Sequence, residues 1–113
     1  CPLNDETRHM LCAHSLPTHG VYVVNAARGG VLDEAALLQG ISDGRVLGAA
    51  LDSLEAEPTV SAELLAASAA GENLLLSPHA AFYSDEAFDE MRHLAAREVG
   101  RILCGEPPHY QVN

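Results

Sequence analysis

Apolar and polar positions along the chain alternate between two rhythms. Val21-Tyr22-Val23-Val24, a β-branched and aromatic run bounded by Gly20 and Asn25, predicts a strand buried on both faces. Arg28-Gly29-Gly30 then reads as a turn, and Asp33 opens a stretch where Ala36, Leu37 and Ile41 recur at helical spacing until Gly44 ends it. The order repeats. Val46 to Leu51 is an apolar run of strand length, Asp52 to Pro58 is an acidic loop, and Ser61 to Ala69 has helical composition. Leu74-Leu75-Leu76 predicts a third strand, ended by Ser77-Pro78. Ser84, followed by Asp85 and Glu86, caps a helix predicted to reach about Cys104, with Met91, Leu94, Ala95, Val99 and Ile102 as its core stripe. Asn4 to Pro17 reads as a loop and short helix arriving from an earlier strand.

Strands that alternate with helices imply a parallel sheet with right-handed crossovers and helices on both faces, so the expected class is α/β. In an open parallel sheet, ligands gather at the carboxyl ends of the strands, where loops and helix N-termini converge. Arg28 follows the first predicted strand, Asp52, Glu55 and Glu57 follow the second, and His79 follows the third. A guanidinium can hold an anion, a carboxylate can orient an imidazole, and an imidazole can move a proton. Together they point to acid/base work on an anionic small molecule.

Composition narrows the picture. Six arginines and no lysine stand against 16 acidic residues, a net charge of -10 that would repel a phosphate backbone, so nucleic-acid binding is not expected. No run of 18 apolar residues suggests a membrane span. The three cysteines, Cys1, Cys12 and Cys104, are an odd number without CxxC spacing, which speaks for a reducing, cytosol-like compartment. Cys12 and Cys104 have apolar neighbours and read as small buried fillers. His9, Cys12, His14 and His19 cluster in sequence. Steps of five place successive histidines about 140° apart on a helix, and Pro17 and Gly20 interrupt the segment, so no metal site is expected.

The motifs also carry a resemblance. Asn25-Ala26-Ala27-Arg28-Gly29-Gly30 with Asp33-Glu34, then Gly48-Ala49-Ala50-Leu51-Asp52 with Glu57-Pro58, then Ser77-Pro78-His79-Ala80-Ala81 resemble the successive signatures of the D-isomer-specific 2-hydroxyacid dehydrogenases. The opening Cys1-Pro2-Leu3-Asn4 with Glu6-Thr7-Arg8 and the ending Gly105-Glu106-Pro107-Pro108 with Val112-Asn113 extend it over nearly the whole chain. Within that family, His79 to Ser84 looks most similar to the C-terminal binding proteins, corepressors that keep the dehydrogenase fold. Ser53 and Leu54 depart from the pattern, standing where the family usually carries a β-branched residue and an aromatic.

The resemblance implies a Rossmann-like, doubly wound parallel sheet that is incomplete: the second half of a dinucleotide-binding domain. A partial NAD-binding domain would span 1–104, and a tail over 105–113 would lead back toward a separate substrate-binding domain. No GxGxxG occurs among the nine glycines, so the pyrophosphate turn would lie upstream and these residues alone would be inactive. The implied activity is NAD-dependent hydride transfer between a 2-hydroxy acid and its 2-keto acid in the cytoplasm, by a homodimer. The alternative is an NAD-binding nuclear corepressor with little or no turnover. In catalysis Arg28 would hold the substrate carboxylate and keto oxygen, His79 would be the general acid/base, and Glu57 would hydrogen-bond its imidazole. Asp52 would meet the nicotinamide side of the cofactor. Cys1, Pro2, Leu3, Asn4, Asp5, Glu6, Ala26, Ala27, Arg28, His79, Ala80, Ala81 and Phe82 would also line NAD.

Overall fold

A computed structural model describes residues 1–111; Val112 and Asn113, part of the expected tail and of the family-like ending, lie outside the described residues. The chain forms two units, Cys1–Ala81 and Phe82–Asn113. In the first, β1 (Val21–Asn25), α1 (Glu34–Ser42), β2 (Val46–Leu51), α2 (Ala62–Ala69) and β3 (Leu74–Leu76) follow one another as the periodicity predicts. The strands form one parallel sheet in the order β1-β2-β3, with Val23 opposite Ala49 and Leu51 opposite Leu76. This is the incomplete, Rossmann-like α/β sheet implied by the sequence.

Each helix start is fixed by a side-chain cap. Asp33 accepts the Ala36 N–H at 2.9 Å, and Ser61 accepts the Leu64 N–H at 3.2 Å. Both helices bury their apolar stripes on one sheet face, where Leu37 of α1 and Leu64 of α2 are wholly buried with Val23, Ala49, Leu51 and Leu74. A leucine of this kind contributes about 1.5–3 kcal/mol through burial, so this layer holds the strand ends in register.

The opposite face corrects an expectation. Tyr22 is 77% exposed, Val24 74% and Leu75 72%, so β1 is buried on one face only. An apolar run has no period that distinguishes its two sides, and α1 and α2 both pack on the same one. The expected short helix between Asn4 and Pro17 is also absent. Asn4 closes a single turn by accepting the Thr7 N–H on Oδ1, and His9 then adopts φ 51°, a left-handed conformation through which a right-handed helix cannot continue.

In the second unit Ser84 accepts the Ala87 N–H at 3.1 Å and starts α3 (Asp85–Leu103). The predicted core stripe is exposed: Met91, Leu94, Ala95, Val99 and Ile102 are not buried. Among the described residues α3 has no second helix or strand in its own unit against which to bury a stripe. Cys104 is likewise exposed and Cys12 half-buried, so neither is a buried filler; all three cysteines are free. Among the described residues no helix is long and apolar enough to cross a membrane.

Candidate active site

The carboxyl ends of the three strands are laced together by their own backbone. Asp52 donates its N–H to Asn25 O at 2.9 Å, and Ser77 donates its N–H to Leu51 O at 2.9 Å, so the chain leaves β1, β2 and β3 at one rim. Polar side chains then shape each exit.

After β1, the buried Asn25 takes the Ala27 N–H on Oδ1 and donates Nδ2 to Arg28 O, both at 3.1 Å. This folds residues 25–28 back on themselves and presents Arg28 at the surface. The 3-10 turn Gly29–Val31 follows directly.

After β2, the 8%-exposed Asp52 carboxylate collects three donors from the segment beyond β3: the Ser77 hydroxyl at 2.5 Å and the N–H groups of Ala80 and Ala81 at 2.8 Å. These bonds, Ser77 first, hold its carboxyl below the ordinary carboxylate range. Ser53, where the family pattern has a larger residue, is buried and leaves its hydroxyl without a partner among the described residues.

After β3, His79 sits at φ 54°, an uncommon conformation for a residue with a side chain. Its Nδ1 lies 2.8 Å from Glu57 Oε2. The other oxygen, Oε1, accepts the Leu54 N–H at 2.6 Å. The His79 hydrogen bond, then that of Leu54, keeps the Glu57 carboxyl below its usual range, so it stays an anion. An anion only accepts, so Nδ1 carries the proton toward Glu57 and Nε2 is left free to take or give one. Leu54, Pro58, Leu76 and Pro78 give this pair an apolar wall, part of a cavity of about 700 Å³.

The expected residues are thus brought together unequally. Glu57 and His79 are bonded, and Asp52 is tied to the His79 segment. Glu55, two residues before Glu57, turns instead to His9. Arg28 is exposed, donates Nη1 to Ala27 O at 2.7 Å, and among the described residues bonds to neither Glu57 nor His79. Ala26, Asp52 and Ala81 line a cleft of about 410 Å³ with Asn25, Ala50 and Ser77. Its small side chains at the strand ends suit the close approach of a flat ring, so the residues present fit a nicotinamide. Cys1 to Glu6 form an exposed segment, whose Leu3 side chain lies beside Gly30. Phe82 belongs to the second unit, where its ring meets Tyr83 edge to face at 6.1 Å. The bonding roles of Asn25 and Ser77 escape a sequence reading, although both residues stand inside the motifs quoted above.

The family model described as "D-isomer specific 2-hydroxyacid dehydrogenase, NAD binding domain" matches residues 1–81. An aromatic 2-oxoacid reductase of Clostridium sporogenes is 37% identical over 102 residues, covering 80% of this chain and 31% of that protein. A solved D-lactate dehydrogenase from Treponema pallidum superposes with a TM-score of 0.86 at 31% identity, covering 99% of this chain and 38% of its own. The NAD-complexed D-isomer specific 2-hydroxyacid dehydrogenase from Lactobacillus delbrueckii ssp. bulgaricus gives 0.82 at 27% identity, over 100% of this chain and 38% of its own. The chain therefore spans less than two fifths of the length of each.

Proposed function

Because the chain belongs to the D-isomer-specific 2-hydroxyacid dehydrogenases, whose NAD-binding domain matches residues 1–81, we propose that it supplies the acid/base half of a hydride transfer between a 2-oxo acid and its D-2-hydroxy acid. The observation that carries this reading is the 2.8 Å contact between His79 Nδ1 and Glu57 Oε2, with Nε2 free at the carboxyl rim of the sheet.

NAD supplies the hydride acceptor or donor when bound, in a cleft that Ala26, Asp52 and Ala81 help to line. In reduction His79 would give its Nε2 proton to the oxygen of the C2 carbonyl as the carbon becomes C–H, and in oxidation Nε2 would take that proton back from the hydroxyl. Glu57 fixes the ring and balances the imidazolium that precedes proton release. Arg28 holds the substrate carboxylate, for which a planar two-pronged donor is better suited than a single ammonium. Asp52 gathers Ser77, Ala80 and Ala81 and so holds the His79 segment against the cofactor cleft. The remaining expected cofactor contacts, from Cys1 to Glu6 and at Ala27, Ala80 and Phe82, belong to the same reading. So does a domain boundary near 104, with 105–113 leading toward a substrate-binding domain.

The relatives named above share one substrate class, 2-oxo or 2-hydroxy acids. Steady-state oxidation of NADH by the full-length protein, with a panel of aliphatic and aromatic 2-oxo acids, tests the proposal. Turnover that requires the 2-oxo group supports it. Tight NADH binding with no turnover would sink it in favour of a corepressor of the C-terminal binding protein type, which would keep the same three side chains. A cytoplasmic setting, in keeping with three free cysteines, and a homodimer, carried over from the family resemblance alone, complete the reading.

A further inference from the structure

Glu55 and Glu57 lie two residues apart on one loop, yet they face different histidines. Glu57 meets His79, while Glu55 Oε1 accepts from His9 Nε2 at 2.6 Å, a contact between residues 46 apart in sequence. His9 is held at its other end as well: its backbone N–H donates to Gly30 O at 2.8 Å, inside the turn that follows Arg28. Glu55 is anchored a second time through its own N–H, which donates to Glu34 Oε1 at 2.7 Å in the first turn of α1. His9, Glu55 and Glu34 thus span the seam between the turn carrying Arg28 and the loop carrying Glu57.

Two features set this apart from an incidental surface pair. His9 has φ 51°, a conformation that costs a residue with a β-carbon and persists where several contacts over-determine it. The seam it spans is also in backbone contact, since Gly29 lies directly against Leu54. A small shift there would move both the Glu57 carboxylate and the Arg28 turn. The His9 and Glu55 side chains are 39% and 32% exposed, so an ion pair between them contributes little to global stability. Its geometric effect is local.

We propose that His9 and Glu55 are positioning residues, a strut that fixes the Glu57 loop, and through it the His79 ring, relative to the Arg28 turn. This rests on the dehydrogenase reading above for its catalytic consequence, though not for the strut itself.

The test uses the full-length protein with NADH and the best 2-oxo acid. His9→Gly removes the side chain while suiting the left-handed backbone, and Glu55→Ala removes its partner. Each lowers kcat on the order of tenfold, as loss of an orienting partner does. NADH affinity is unchanged, and the melting temperature stays within about 3 °C. The double variant loses no more than either single one, and His9→Gln, whose amide reaches about as far as Nε2, recovers most of the rate. Unchanged kcat in both single variants, losses that multiply in the double variant, or failure of His9→Gln to recover would overturn the proposal. Should the wild-type protein reduce no 2-oxo acid, the functional reading fails by itself. Hydrogen exchange at the Leu54 N–H then reads the strut directly: faster exchange in His9→Gly supports it, and unchanged exchange removes it.

Discussion

Gly29 lies so close to Leu54 that a β-carbon on the glycine would stand 1.9 Å from the Leu54 carbonyl oxygen. The neighbour is backbone and cannot swing aside, so the Arg28 turn and the Glu57 loop share a seam that only glycine permits. Gly29→Ala is expected to cost about 3 kcal/mol or more, because overpacking against a main chain forces both segments to move. Urea unfolding of the full-length protein measures it. A loss below about 1 kcal/mol would show that the seam is not as tight as its geometry.

Asp52 accepts three hydrogen bonds, two of them from main-chain N–H groups. Asp52→Asn keeps the size but turns one acceptor into a donor, which then faces another donor. The expected result is faster hydrogen exchange at Ala80 and Ala81 and a kcat lower by roughly 10- to 100-fold. Unaltered exchange at both amides would mean that the carboxylate does not hold the His79 segment.

Acid should weaken the fold through the same site. Asp52 and Glu57 both have folded-state values below their ordinary range. Each therefore adds stability above the unfolded carboxylate value of about 4, and that contribution disappears as pH falls through the lowered folded values. The urea midpoint should hold from about pH 7 to about pH 5 and then decline, with a shallower decline in Asp52→Asn. A midpoint that rises on acidification would contradict the ionised, hydrogen-bonded state of both groups.

Two substitutions separate chemistry from binding. His79→Ala should cost on the order of 10² to 10⁴ in kcat while sparing NADH affinity, because it removes proton transfer and little else. Equal losses in both would make the histidine structural. Arg28→Lys should raise the KM for the oxo acid by at least about tenfold and leave NADH binding nearly unchanged, since one ammonium cannot reproduce the fork. A KM that does not move would remove Arg28 from the substrate's carboxylate.

Read without coordinates, this chain already yields the order of strands and helices, the helix starts at Asp33 and Ser84, and the placement of Arg28, Asp52, Glu57 and His79 after successive strands; the Ser61 cap emerged only in the structure. Those features are local: side-chain period, cap chemistry and strand length are written within a few residues of where they act. Tertiary structure alone decided that Tyr22 and Val24 face outward and that the α3 stripe is exposed, because burial depends on which element packs where. The family resemblance, and not the pattern of the chain, implied that Glu57 meets His79, 22 residues away; only the tertiary structure decided that Glu55 meets His9 across 46. Loops of similar composition give no hint of such partners. Only the convergence of strand ends in a parallel sheet, with its backbone lacing at Asn25, Asp52 and Ser77, brings the groups within a hydrogen bond of each other.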